Sequence, residues 1–546
     1  MQKGLYVMKK KILALLLAGM MAFSAAACNN GTTSSTGGSG DTASTADGGD
    51  AGDAGDAGDA GDAAIDTSEH VVINYLTLGD IPTNQTDAAL VELNNLLTEK
   101  VNAEIALRWI EWTDWATQYN LAMASQSGDL DLIVTATDWL DAWPNAQKGA
   151  FLPLTEEMLQ TYAPKTWEQV DALGHWEDCK LDGTIYFIPE DTYTQWINHG
   201  VMYRQDWATE AGLEDGVHSF EDLGVYFQWV KDNQPDCVPW DVAGSVTSGE
   251  AGFSGGWWSS YTDDINIDGF GINIFRGESP DDLTTISRYL IEGDEFVNFA
   301  KTMKEWSDAG YWREDVMNYK GDTREEFYSG LSGIDQHHTE TYYTTVAPEM
   351  EKRNGVEAKF FFFGEETDNL VRTVTTHGAM AIGAQSQNPE RALMVYDLMR
   401  FDQEVYDIMN YGFSDYYTLD EETNVLTWND DYDSATMGVT FNFWAGRNDE
   451  MQHKNSTYAW EPYEALVEVY DEIAIEYPYG KFIPDKTQMP WLENLSAVAN
   501  TYMPQIAFGK TDDPEALVAE FRQALKDAGY EEAIAEAERQ LAEVYG

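Results

Sequence analysis

The stretch Val71-Val72-Ile73-Asn74-Tyr75-Leu76-Thr77-Leu78, followed by Gly79-Asp80-Ile81-Pro82, decides the fold. Its apolar, β-branched run reads as a buried strand, and the Gly-Asp-Ile-Pro after it reads as the strand's end. From Thr86 to Val101, Leu90, Leu93, Leu97 and Val101 recur at helical spacing. Ala103 to Ile110 is a second strand, Thr113 to Ser127 a helix, and Leu130-Asp131-Leu132-Ile133-Val134 a third strand. Alternation of this kind predicts an α/β fold with a parallel sheet and helices on its faces. In such sheets ligands bind beyond the carboxyl ends of the strands, which here carry Gly79-Asp80 and Ala136-Thr137-Asp138-Trp139.

Further along, Ile185-Tyr186-Phe187-Ile188-Pro189 reads as a short strand, and Met202 to Gly212 begins a new alternating region. Glu295 to Ala309 and Glu390 to Phe401 are helical. The second of these starts with Asn388 as N-cap and Pro389 at the first helical position. Asp513 and Pro514 repeat that device near the end. There Leu517, Phe521 and Leu525 share a face, Gly529 closes the helix, and a last amphipathic helix runs from Glu531 to Tyr545.

Upstream of the first strand the character changes. Lys9 to Lys11 are basic, Ile12 to Phe23 is an apolar run, and Ser24-Ala25-Ala26-Ala27-Cys28 follows. This has the form of a secretory signal over residues 1–27, too short for an ordinary membrane span. Small residues before a cysteine resemble the bacterial lipobox, which implies a lipid on Cys28. The sequence departs from that pattern at Ala25, where Leu is usual. Residues 28–69 are Gly-, Ala- and Asp-rich without aromatics, so they cannot bury a core and are expected to form an extended tether. Nothing later approaches the length of a spanning helix.

The 546 residues carry 95 acids against 32 bases, a formal net charge of −63. Nucleic-acid binding needs clustered cations on phosphates, so this balance excludes it as a partner. The acidity reads as a solubility property of the surface. Three cysteines in so long a chain rule out a disulfide scaffold; Cys179 and Cys237 either pair or remain buried thiols.

Several short motifs occur in a fixed order: Ser127-Gly128-Asp129-Leu130-Asp131-Leu132-Ile133, Gly149-Ala150-Phe151-Leu152-Pro153-Leu154-Thr155, Asp182 to Pro189, Tyr203-Arg204-Gln205-Asp206-Trp207, Trp306 to Asp315, Asn388-Pro389-Glu390-Arg391-Ala392 and Asn410-Tyr411-Gly412. In that order, behind a lipobox, the chain resembles the family-1 extracellular solute-binding proteins, of the large lipoprotein type of Gram-positive bacteria. The resemblance implies a type II periplasmic-binding-protein-like fold, with two discontinuous α/β lobes joined by hinge strands and solute held between them. On that pattern lobe one is expected at 70–189 and 335–400, and lobe two at 190–334 and 401–546. It implies a monomeric, non-catalytic receptor, lipid-anchored at the extracellular face of the cell membrane, which delivers a solute to ABC permease subunits. No cofactor is indicated. Relatives often carry a calcium-like loop, but Asp232 to Cys237 lacks the spacing. Asp264-Ile265-Asn266-Ile267-Asp268-Gly269 has only half of an EF-hand, with Phe275 where the bidentate Glu belongs, and reads as a turn between short strands. No metal site is expected.

Sugar recognition needs flat apolar faces for C–H groups and carboxylates or amides for hydroxyls. Of the 19 tryptophans, several sit in loops with polar neighbours. The candidate ligand-binding residues are Asp80, Trp139, Asp191, Tyr193, Trp196, Arg204, Trp257, Trp258, His337, Trp444 and Arg447. Trp257 and Trp258 stand out because glycines flank them. The cargo expected is a sugar or oligosaccharide. The alternative is a surface-anchored glycoside hydrolase with a carboxylate pair, for which the sequence offers no positive sign. Gly252-Phe253-Ser254-Gly255-Gly256 matches G-x-S-x-G but lacks the apolar strand that a nucleophile elbow needs. His337-His338 has no metal-ligand spacing and is expected in a loop or hinge.

Overall fold

The structure is a computed structural model that describes residues 65–113, 115–125, 129–190, 195–242, 252–321 and 323–546. The expectations for the signal, for Cys28 and its tether, and for Asp191 and Tyr193 lie outside the described residues.

The chain opens with β1 (Val71–Leu78), α1 (Thr86–Val101), β2 (Ala103–Ile110), α2 (Trp115–Ser125) and β3 (Leu132–Thr135). β1 pairs in parallel with both β2 and β3, as the alternating pattern predicts. α1 buries Ala89, Leu93, Leu97 and Val101, a ridge at intervals of four, against this sheet. Burying each large aliphatic chain is worth about 1.5–3 kcal/mol. The helix ends at Asn102 in the left-handed conformation, and the Arg391 guanidinium donates to the Val101 and Asn102 carbonyls at 2.6 and 3.1 Å. A cation on the last carbonyls of a helix also opposes its dipole. Buried Asp131, just before β3, ties β1 to the distant Ser386, accepting from the Asn74 amide at 2.8 Å and from Ser386 Oγ at 2.5 Å.

β4 (Phe187–Pro189) reaches the same sheet before the chain departs. A second sheet forms from β5 (His199–Arg204). Past it lie α3 (Phe253–Tyr261) and α4 (Glu295–Ala309), then β6 (Ile334–His338) and β7 (Ala358–Phe362), which flank β5 antiparallel on either side. Residues alternate across this sheet. Val201, Tyr203, Ile334 and Phe361 enter the large core, while Met202, Phe360 and Phe362 enter a smaller one behind it. The segment 335–362, expected in lobe one, therefore pairs in the second sheet.

The chain returns as β8 (Ala379–Ile382), antiparallel to β3 and β4, so the first sheet is mixed and not wholly parallel. A strand arriving from the other sheet need not follow the direction that short βαβ crossovers impose. α5 (Pro389–Phe401) has Asn388 at its N-cap position, but the Asn388 side chain makes no capping bond. Residues 441–445 also rejoin the first core: Tyr75 Oη and Thr77 Oγ1 both donate to the Asn442 carbonyl, and Phe441, Phe443 and Ala445 are buried there. α6 (Trp460–Ile473) covers the small core, and α7 (Leu492–Ala507), α8 (Pro514–Asp527) and α9 (Tyr530–Tyr545) complete the large one. Asp513 caps α8 by accepting from the Ala516 amide at 3.0 Å. Cys179 and Cys237 are separate buried thiols. Among the described residues, no helix is long and apolar enough to cross a membrane.

Candidate functional site

Among the described residues the chain passes three times between the first core and the cores of the second sheet, after Pro189, after Phe362 and after Ala445, and a cleft of about 440 Å³ lies beside these crossings. Asp138, Trp139 and His377 border it from the first sheet. Asn266, Asp268 and Arg276 border it from the other side, and Asn198, His199 and His338 lie at the start of β5 and the end of β6. Its position follows from the fold: the loop after β3 is the carboxyl end of a central parallel strand.

That loop is braced against the crossing segment 374–378. The Thr137 amide donates to the Thr376 carbonyl at 3.1 Å, and the Trp139 indole N–H donates to the His377 carbonyl at 3.0 Å. His377 Nδ1 meets Asp138 Oδ2 at 2.5 Å. Burial opposes charge on the His377 ring, but Asp138 outweighs it and holds the imidazole above its ordinary pKa. Burial instead pushes His199 down to about 4 and His338 well below the ordinary value, so the hinge end of the cleft is lined by neutral imidazoles.

Tryptophans form a platform on the first-sheet side. Trp112 stacks on Trp444 with centroids 5.6 Å apart, Trp444 lies 6.4 Å from Trp139, and Trp115 meets Trp139 edge-on at 5.5 Å. Trp112 is 42% exposed. Such rings held by their neighbours offer an apolar face at little entropic cost.

Below the platform Arg447 ties the crossings together. Its Nε and Nη2 donate to Glu190 at 2.8 and 3.1 Å, Nη2 donates to Gln195 at 2.9 Å, and Nη1 donates to Glu340 at 3.2 Å. The Glu190 side chain is wholly buried. Burial raises its pKa, and Arg447 opposes the rise. Gly378 permits this packing, since a Cβ there would stand 2.5 Å from Glu190 Oε2 and 3.0 Å from the Trp444 carbonyl.

Of the residues anticipated from sequence, Trp139, Trp444 and Arg447 come together here. Asp80 is exposed at the end of β1, outside the cleft lining. Trp196 is buried in the small core against Tyr470, with Arg372 over its ring at 4.8 Å. Arg204 pairs with Asp206 and covers Trp207 at the far end of β5 from His199, about 17 Å along the strand. Trp257 and Trp258 are core residues on α3. Trp257 packs on Tyr261 and Phe220, while Trp258 lies between Tyr289 and Arg276 and donates to Asp264. Their flanking glycines serve close packing: a Cβ on Gly256 would strike the Phe363 ring. His337 accepts or donates at Thr341 Oγ1, 2.8 Å away, while its neighbour His338 borders the cleft. Ser254 of the G-x-S-x-G match is buried in the first turn of α3. Asn266 and Asp268 of the half EF-hand border the cleft, with Asn266 Nδ2 donating to Asp268 at 2.7 Å.

Trp112, Trp115, His199, His377 and Arg276 escaped the sequence reading. For the first two a signal existed, because Glu111-Trp112-Thr113-Asp114-Trp115 follows the carboxyl end of β2. The others depend on crossings that only the tertiary structure displays.

Comparisons with known proteins agree with this architecture. Residues 82–401 match the bacterial extracellular solute-binding protein family, and residues 478–545 match a domain family of unknown function. A curated carbohydrate ABC transporter substrate-binding protein of Streptococcus pneumoniae is 24% identical over 498 residues, covering 88% of this chain and 92% of its own. Among solved structures, the N-glycan transport solute-binding protein NgtS of S. pneumoniae, in complex with Man1GlcNAc, superposes with a TM-score of 0.66 at 18% identity. It covers 87% of this chain and 99% of its own. The alginate-binding protein AlgQ2 superposes with a TM-score of 0.62 at 16% identity, over 87% and 99% of the two chains. The fold is the type II periplasmic-binding-protein-like fold anticipated from sequence. With the two sheets described above, the crossings between them and the cleft beside those, the chain belongs to the bacterial extracellular solute-binding protein family.

Proposed function

We propose that the protein is a receptor that captures a sugar or oligosaccharide in the cleft and delivers it to the permease of an ABC importer. The observation that carries this reading is the tryptophan platform of Trp112, Trp444 and Trp139 beside a cleft bordered by amides, carboxylates and Arg276. Ring faces suit the C–H side of a pyranose, and the polar border suits its hydroxyls. The relatives named for carbohydrate, N-glycan and alginate point the same way. The carboxylates at the cleft each serve structure: Asp138 holds His377, Asp264 accepts from Trp258, and Asp268 accepts from Asn266.

The lobes follow the cores, with 66–190 and 378–445 as one lobe and 199–362 and 459–546 as the other. Closure about the three crossings would bring Arg276 and Asp268 toward the platform. Cys28 carries a lipid, and the Gly-, Ala- and Asp-rich linker read from sequence behind it tethers the monomeric receptor at the extracellular face of the membrane. A calorimetric titration of the protein with a saccharide panel tests the function. Saturable heat with one saccharide class supports it, and silence across neutral, amino and acidic sugars overturns it.

A further inference from the structure

Past Trp444 a second groove opens, of about 1050 Å³, between the 439–447 segment and α6. One wall is aromatic. Tyr343 stacks on Tyr463 at 3.9 Å, Trp460 lies 5.5 Å from Tyr343, and Tyr458 lies 6.0 Å from Trp460. The rings hold one another in place, and the Trp460 indole N–H is fixed by the Asn455 carbonyl at 2.7 Å. The facing wall carries amides: Asn410, Asn424, Asn442 and Gln452.

Rings on one side and amides on the other are the surfaces that a neutral, polyhydroxylated chain needs. The charges present agree. Glu340, Asp449, Glu464 and Glu468 outnumber Arg447 and Lys454, which disfavours an anionic occupant. Glu340 is paired with Arg447 and Glu464 with Lys454, and a lipid or apolar peptide would strip the water from these charges at a cost in free energy. The groove also adjoins the cleft. Trp444 borders the groove, Trp139 borders the cleft, and their ring centroids are 6.4 Å apart. Pockets for drug-sized ligands span about 300–1,000 Å³, so the cleft alone is small and the groove more than doubles the room.

We propose that this groove is an outer subsite that takes the further residues of a neutral oligosaccharide whose first residues occupy the cleft. The inference rests on the saccharide reading above. It makes the preferred cargo a chain long enough to pass Trp444, and it gives Trp460 and Tyr458 a role in selecting chain length.

The test is affinity against chain length, by calorimetry on the whole protein with gluco-, manno- and fructo-oligosaccharide ladders from monosaccharide to hexasaccharide. Affinity should climb about tenfold or more beyond the residues that fill the cleft. Trp460→Ala should remove that gain while altering binding of the shortest ligand far less. Oxidative footprinting of the unaltered protein supplies a readout independent of folding: Trp460 and Tyr458 should be protected by long saccharides and not by short ones. Equal affinity along the ladder that binds, or equal labelling of these rings with long and short ligands, overturns the subsite while leaving the receptor standing. Absence of binding by every ladder and every other sugar overturns the receptor reading and the subsite together.

Discussion

The indole N–H of Trp139 donates to the main-chain carbonyl of His377 at 3.0 Å, locking a loop of the first sheet to one of the three crossings. The bond fixes the ring's orientation beside the cleft, so the platform is preorganised before any solute arrives.

Trp139→Ala removes that ring face. Saccharide affinity should fall roughly tenfold to a hundredfold, about 1.4–2.8 kcal/mol, with the fold retained. Calorimetric titration measures it, and unchanged affinity would show that the ring does not touch the ligand.

Trp257→Ala should do the opposite. Trp257 packs within the large core, so its loss should cost about 3–5 kcal/mol of stability by leaving a cavity. Binding by the protein that remains folded should be nearly normal. A denaturant titration paired with an affinity measurement separates this from Trp139→Ala.

Arg447→Ala leaves the Glu190 carboxylate buried without its principal cation, and breaking such a pair typically costs about 3–5 kcal/mol. Glu190 already has a raised pKa, from burial opposed by Arg447, and removing the guanidinium raises it further. The folded variant then holds a proton that the unfolded chain releases above its ordinary value of about 4.3. Stability should thus be highest at low pH and lost as pH rises through the folded value. The deficit against the parent should be smaller at about pH 5 than at about pH 8, and a deficit that grew on acidification would refute this account.

The hinge histidines predict a second pH effect. Burial depresses His199 to about 4 and His337 to about 3, with His338 also well below its usual value. The unfolded chain takes up these protons near pH 6.5 and the folded chain refuses them. Their stabilisation is present above about pH 6.5 and erodes as pH falls toward the folded values. His377 has the opposite sign: its raised pKa stabilises below about pH 6.5 and is lost as pH rises through the folded value. Buried carboxylates of raised pKa, such as Glu190 and Glu365, run the other way, so the histidine effect is isolated by comparing the parent with His338→Gln. The change in melting temperature from about pH 7.5 to about pH 5 should be more favourable in the variant than in the parent, and an identical pH dependence of thermal unfolding would refute the account.

Much of the architecture was legible because local pattern and tertiary demand coincide. The β1 run, the ridge of α1 and the Asp513-Pro514 start of α8 are short-range signals, and each forms where its residues indicate. The candidate site was legible only in part. Trp139 declared itself by following a strand's carboxyl end, and Trp444 and Arg447 by their polar loop. Trp257 and Trp258 misled because glycine beside an aromatic reads as an exposed loop. Here glycine instead lets α3 approach Phe363. Trp196 and Arg204 likewise sit among polar neighbours in sequence, yet pack against Tyr470 and Trp207.

By itself the sequence determined the α/β class, the solute-binding family and the helices α1, α2, α4, α5, α8 and α9, since these rest on periodicity, capping and motif order within short windows. The tertiary structure alone decided that β8 returns antiparallel, that residues 441–445 rejoin the first core, and that Glu190, Glu340 and Arg447 meet. It also decided which tryptophans form a platform and which fill a core. The physical reason is distance along the chain. Arg447 and Glu190 are joined by hydrogen bonds across 257 residues, and no local preference of either residue encodes a partner so remote.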